Sequence, residues 1–254
     1  MTGALYAEDT GEGARALVLL HGFAGSHRVW EGVRRALPSG LRTIAYDLPG
    51  HARSLDLPGA GRAKATAQAV IDDLETRGIA RCHMAGHSFG GAVAVLAAHL
   101  APHAIASLAL VAPGGFGREI AGDLMMARAQ AKTDSEIAAA MQGMFGTHCT
   151  VSPESVAEAI ALNAVAGQRE KLIEISGVIV RDGEQGAFPA HMLEALSMPV
   201  HLAWGTLDAV LPPRQAENAP RAFTVHHLEG AGHMLPEERP QAVAHIIAQS
   251  LRDA

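Results

Sequence analysis

The chain is poor in cysteine, with only Cys82 and Cys149 among 254 residues. Two thiols give no disulfide framework, so a reducing, cytoplasmic setting is expected. Cys82 falls in a strand-length run and reads as a small buried hydrophobe. Basic runs are also missing, and the net charge is −6. That excludes a nucleic-acid surface as the main business of the protein. No apolar stretch is long enough to span a bilayer, so no membrane partner is expected. The first thirteen residues hold Glu8, Asp9 and Glu12 without an apolar stretch, unlike a secretory signal. Internal repeats and low-complexity segments are absent. The histidines lack metal-ligand spacing, so neither a metal nor another cofactor is expected.

What the chain does have is a core. Apolar residues make up 48% and charged residues 18%, enough for one large α/β domain or a core with an insertion. The apolar run Arg15–His21 reads as a strand buried on both faces, followed by the glycine-containing loop His21–Gly25. A helix is expected from about Val29 to Leu37, stopped by Pro38, then a strand over Leu41–Asp47 and a helix over Lys64–Arg77. Strands follow at Ile79–Ala85 and Ile105–Ala112, with a small-residue helix over Ala92–Leu100 between them. Such alternation predicts a mostly parallel, doubly wound sheet with its loops gathered along one edge.

From Gly114 to about Pro189 strand signals vanish, and four helical segments are expected: 120–131, 134–145, 153–165 and 168–180. Strands resume at Pro199–Trp204 and Phe223–Leu228, and a helix over Pro236–Leu251 closes the chain. The domain reading is a core in two parts, residues 1–115 and 191–254, interrupted by a helical cap over 116–190. His226 and His227 are expected to alternate between core and solvent. Gly59-Ala60-Gly61-Arg62 follows no strand and lacks the Lys-Ser/Thr ending of a phosphate loop, so it reads as a surface turn.

The chemistry centres on Gly86-His87-Ser88-Phe89-Gly90, between a strand and a helix. By itself Gly-x-Ser-x-Gly is a common turn, and its weight comes from context. A serine on a sharp strand-to-helix turn needs neighbours without bulk, and Gly86 and Gly90 supply that room. A serine hydroxyl is a weak nucleophile at neutral pH, so it needs a base and a group that orients the base. His233, in Gly230-Ala231-Gly232-His233, and Asp208, in the loop after Trp204, each follow a strand on the same edge. The order Ser, Asp, His matches that arrangement. Ser88 is thus the candidate nucleophile, His233 the base and Asp208 the orienting acid. For an oxyanion hole the backbone N–H groups of Phe89 and Phe23 are the candidates. The side chain of Phe23 would also cover the sheet edge.

Taken together, these residues resemble the α/β-hydrolase superfamily over nearly the whole chain. The resemblance rests on His21-Gly22-Phe23, Asp47-Leu48-Pro49-Gly50-His51, the turn at Ser88, Asp208 and His233. It implies the same roles for Ser88, His233, Asp208, Phe23 and Phe89, and a leading hairpin reduced by the short N-terminus. Where the family often has a glycine after His51, this chain has Ala52. Serine at position 88 counts against the dehalogenases and epoxide hydrolases, which use aspartate there. Val111–Ile120 is similar to the hydrolase-like half of acetoin dehydrogenase dihydrolipoyl acetyltransferases, and more loosely to carbon–carbon bond hydrolases. The former usually carry a lipoyl domain ahead of this fold; none is expected here, so lipoyl-dependent transfer would need a partner.

The expected partner is a small or medium ester or thioester, cleaved through an acyl-enzyme on Ser88. An acyltransferase using that intermediate, a carbon–carbon hydrolase and a non-catalytic binding protein are the alternatives. Met125, Met126, Met141, Met144 and Met192 are expected mainly to fill helix contacts, with some able to line an apolar pocket. Arg118 and Arg128 could hold a carboxylate or phosphate, but a solvated helix face is the reading adopted. The sequence specifies neither substrate nor oligomeric state.

Overall fold

The computed structural model of the chain describes residues 4–13 and 15–254. Among them seven strands form one sheet: β1 (Ala7–Thr10), β2 (Ala16–Leu20), β3 (Arg42–Tyr46), β4 (Cys82–His87), β5 (Ile105–Val111), β6 (Val200–Gly205) and β7 (Thr224–Leu228). Their order is β1-β3-β2-β4-β5-β6-β7. All pairs are parallel except β1 with β3. The edge strand β1 lies outside the strands expected from the sequence. Its residues Ala7–Thr10 are largely polar and half-buried, so no apolar run marks them.

The buried strands alternate their side chains between two helical layers, as a pleated strand must. Val18, Leu20, Ile44, Met84, Leu108 and Trp204 face one layer. That layer includes α2 (Ala63–Thr76) and α3 (Phe89–Leu100). Leu17, Leu19, Ala45, Ala85 and Val111 face the other, with α1 (Glu31–Ala36) and the C-terminal helix. The expected helix over Val29–Leu37 is a 3-10 turn, His27–Trp30, running into α1.

Between β5 and β6 the described chain contributes α4 (Gly122–Gln130), α5 (Asp134–Gln142), α6 (Pro153–Asn163), α7 (Gln168–Ile179) and α8 (Ala190–Glu194), and no strand of the sheet. Local signals delimit them. Thr133 and Glu136 form a reciprocal capping box on α5, and Ser152 caps α6 ahead of Pro153. The expected helix over Pro236–Leu251 is instead two, α9 (Leu235–Glu238) and α10 (Pro240–Arg252). Pro240 has no N–H and bars a helical conformation at Arg239, which lies at φ −137° and ψ 51°.

The turn at Gly59–Arg62 is a correction to the sequence reading. Ala60 and Gly61 are buried, and Gly61 packs under Ile175 and Val178 of α7. A tertiary neighbour 110 or more residues away covers what the local sequence marks as surface. No helix among the described residues is long and apolar enough to cross a membrane. Strand order reverses between β2 and β4, so the loops after these two strands part and leave a crevice at their carboxyl ends. His21–Phe23 and Ser88 lie there.

Candidate active site

At the end of β4 the backbone of Ser88 takes φ 53° and ψ −119°, and α3 begins at the next residue. A non-glycine residue there costs about 1–3 kcal/mol, so the surroundings must hold it. The Ser88 N–H donates to the Val111 carbonyl (3.0 Å), and the Ser88 carbonyl accepts from Gly91 and Gly114 (2.9 Å each). Gly90 is obligatory, because a Cβ there would lie 2.5 Å from the His21 carbonyl oxygen.

The three residues singled out from the sequence meet. The Ser88 Oγ lies 2.9 Å from His233 Nε2, and His233 Nδ1 lies 2.8 Å from Asp208 Oδ2. The other oxygen of Asp208 accepts from the N–H groups of Val210 and Leu211, both at 2.8 Å. This acceptor-only pattern suits a carboxylate, which makes Nδ1 the donor and leaves Nε2 to take the Ser88 proton. His233 and Asp208 are buried, so the relay is shielded from competing water.

The histidine loop is held by contacts that the sequence does not announce. His233 donates its N–H to the Met144 carbonyl (2.9 Å), tying the loop to the segment after α5. Glu238 accepts from the N–H groups of Gly232 (2.8 Å), Met234 (3.0 Å) and Gly146 (3.0 Å). One carboxylate therefore clamps both neighbours of His233 and the α5–α6 segment. Its only sequence signal is an acidic residue one turn beyond the glycine-rich loop.

Phe89 is the first residue of α3, so its N–H has no partner within the helix. In the loop after β2, the Ala24 N–H donates to His51 Nε2 (3.2 Å) and the Gly25 N–H to the Gly22 carbonyl (3.2 Å). The Phe23 N–H has no such acceptor among the described residues. His21 braces this loop: Nε2 accepts from the Leu48 N–H (2.9 Å), and Nδ1 donates to the Gly22 carbonyl (2.7 Å). Gln168 of α7, fully buried, accepts from the Ala52 N–H (2.7 Å) and donates to the Gly50 carbonyl (2.9 Å). It thereby holds the turn at Ala52, whose φ is +45°.

Burial keeps this scaffold neutral. His51 is pushed down to about 3 by desolvation and then by the neighbouring His21. His87, whose Nε2 donates to the His233 carbonyl (2.9 Å), is pushed down to about 3 by desolvation and by His233. Both are uncharged in the fold and protonated below about 6.5 in the unfolded chain. Stability is therefore full above that pH and lost as pH falls from about 6.5 toward 3. Each histidine should remove more than about 1 kcal/mol per pH unit in that window. Urea titrations at pH 7.5 and 5.0 check this, and an unchanged unfolding free energy would contradict neutral His51 and His87.

Ser88 and His233 open onto an apolar cavity of about 280 Å³. Its walls include Leu96 of α3, Ile120, Met125 of α4, Met144, Ile179 of α7 and Phe188. Met125 and Met144 thus face the site, whereas Met126 and Met192 are half-buried elsewhere. Phe23 lines the cavity as expected of a cover. Arg118 is exposed and paired with Glu184 (2.6 Å). Arg128 corrects the sequence reading: it is 2% exposed, because its side chain turns toward α6, where Nη1 donates to Asn163 Oδ1 (3.0 Å). His226 stacks on His201 at the far end of the sheet, while His227 is exposed. Among the described residues no group of three or more His, Cys, Asp or Glu could hold a metal ion.

A doubly wound parallel sheet with a serine on a strained strand-to-helix turn, hydrogen-bonded through histidine to aspartate, defines the α/β-hydrolase class. The chain belongs to the alpha/beta hydrolase family, whose family model matches residues 17–246. It is 32% identical over 244 residues to the dihydrolipoyllysine-residue acetyltransferase component of the acetoin cleaving system of Pseudomonas putida, covering 95% of this chain. The component of the same name from Cupriavidus necator is 29% identical over 90% of this chain. The chain spans 65% and 61% of the lengths of these two relatives. Among solved structures, a thermophilic esterase from Thermogutta terrifontis is 25% identical with a TM-score of 0.75, covering 98% of this chain and 93% of that one.

Proposed function

We propose that the protein is a serine hydrolase that cleaves a small or medium apolar carboxylic ester or thioester. The observation that carries this reading is the series Ser88 Oγ–His233 Nε2 (2.9 Å) and His233 Nδ1–Asp208 Oδ2 (2.8 Å) at the mouth of an apolar cavity. The Ser88 oxygen attacks the acyl carbon while its proton passes to His233 Nε2. Asp208 stabilises the imidazolium and keeps the ring in the tautomer that can accept. The N–H groups of Phe23 and Phe89 receive the negative charge of the tetrahedral intermediate, helped by the N-terminus of α3. His233 then protonates the departing alcohol or thiol, leaving the acyl group on Ser88. Water, deprotonated by His233, releases the acid. Residues 116–190 serve as a cap whose apolar side chains select the acyl group by size.

A second reading is acyl transfer from the same intermediate, favoured by the acetyltransferase names of the relatives from P. putida and C. necator. The two differ only in what attacks the acyl-enzyme. Purified protein assayed against p-nitrophenyl esters and acyl-CoA thioesters of increasing length should show turnover that peaks at one chain length. Added dihydrolipoamide should leave the rate of acid formation unchanged for a hydrolase, and divert acyl groups to the thiol for a transferase. No turnover on any donor, with or without the thiol, would sink both readings and leave a binding protein.

A further inference from the structure

A second, smaller cavity adjoins the first. Its volume is about 60 Å³, and Phe23, Met144 and Met234 line both, so the two cavities share these side chains as walls. Arg128 lines it from α4 and is 2% exposed. Its Nη1 donates to Asn163 Oδ1 (3.0 Å), and its Nη2 has no hydrogen-bond partner among the described residues. No carboxylate pairs with it within salt-bridge distance among those residues. Buried guanidinium groups are ordinarily paired, because a lone charge in a low-dielectric interior is strongly unfavourable.

Two acidic residues share the cavity, and neither lies within salt-bridge distance of Arg128. Glu158 is half-exposed and lies 3.8 Å from Arg28, on the solvent side. Glu237 faces the cavity from α9, and burial pushes its carboxyl up to about 7, so near neutrality about half of it is an uncharged donor. Arg128 stays protonated throughout, being pushed down only to about 10 by desolvation.

We infer that this cavity is a subsite for a carboxylate, held by the Arg128 guanidinium and reached from the acyl cavity past Phe23, Met144 and Met234. A group of a few heavy atoms fits its volume. The carboxylate accepts from the unpaired Nη2, and the protonated Glu237 can donate to its second oxygen. The consequence, resting on the hydrolase reading above, is a preference for esters whose acyl chain ends in a free carboxylate. The same site could also take a free dicarboxylate as an effector, and the test separates these sources.

The experiment compares kcat/KM for p-nitrophenyl hydrogen glutarate and p-nitrophenyl pentanoate, which have acyl chains of equal length. Wild type should favour the half-ester, and Arg128→Met should lower the ratio of the two constants by about a hundredfold, as for a truncated buried charge pair. Arg118→Gln, removing an exposed cation, should leave that ratio as in wild type. In parallel, glutarate is titrated onto the wild type and followed by thermal shift, which needs neither turnover nor a variant that folds. A Tm rise with glutarate that Arg128→Met lacks supports the subsite even if neither ester is hydrolysed, in which case the hydrolase reading fails alone. A glutarate-dependent Tm rise without half-ester preference assigns the site to a free anion. Equal treatment of both esters together with no Tm shift overturns the proposal, leaving Arg128 as a buried cation balanced at a distance by Glu237.

Discussion

Ser88→Ala should lower turnover by between about 10³- and 10⁶-fold while leaving a folded protein. The loss is large because the hydroxyl is the bond-forming atom, and no other hydroxyl occupies its place against His233. Ser88 also carries a stability cost that the same position can reveal. Its φ of 53° is left-handed backbone, disfavoured for any residue with a Cβ. Alanine keeps that penalty, and glycine removes it. Ser88→Gly should therefore be more stable than Ser88→Ala by about 1–2 kcal/mol, though equally inactive. Urea denaturation of the two variants measures the difference directly. If the two unfold together, the turn is not strained in the way its dihedrals imply. If Ser88→Ala retains more than a few per cent of wild-type turnover, the acyl-enzyme mechanism is wrong.

The second large effect belongs to Gly205, which no motif marks. It ends β6, three residues before Asp208, and its Cα packs against the loop that carries His233. A Cβ there would lie 2.5 Å from the Ala231 carbonyl oxygen and closer still to that of Gly232. Both atoms are backbone, so no side-chain rotation can relieve the clash. Gly232 is pressed in turn against the backbone of Phe145 and Gly146, which leaves the loop no direction of retreat. Gly205→Ala should destabilise the fold by about 3 kcal/mol or more and separate Asp208 from His233. Gly177, exposed in α7, is the control: a Cβ there meets nothing within 4 Å. Gly177→Ala should be stabilising by about 0.5–1 kcal/mol, as in any open helical position. A thermal melt and an ester assay on both variants would test the contrast. Wild-type stability in Gly205→Ala would mean that the β6 end and the histidine loop can part freely.

By itself the sequence determined the alternating strands and helices, the helical run between β5 and β6, and the choice of Ser88, Asp208 and His233 as residues that meet. Each of these is written locally. Buried parallel strands appear as continuous apolar runs, helices as repeats near 3.6, and the elbow as glycines around a serine. The alternation of strands and helices gathers three loops on one edge, which is why residues as far apart as 88 and 233 can be paired from the order of elements alone. The strand β1 escapes such a reading because a largely polar edge strand has no apolar pattern.

Only the tertiary structure decided which polar groups end up inside. Arg128 lies on α4 within Leu124-Met125-Met126-Ala127-Arg128-Ala129-Gln130, and nothing nearby in the chain states that packing covers its side. Gly61 becomes a wall of the site because α7 is laid on it. Gln168 acts through the backbone of Gly50 and Ala52, and Glu238 reaches Gly146, both distant in sequence, and a hydrogen bond to an amide leaves no trace in the residue that offers it. Strand and helix signals are properties of one segment, whereas the burial of a charge is set by its partners, and these are chosen by the fold.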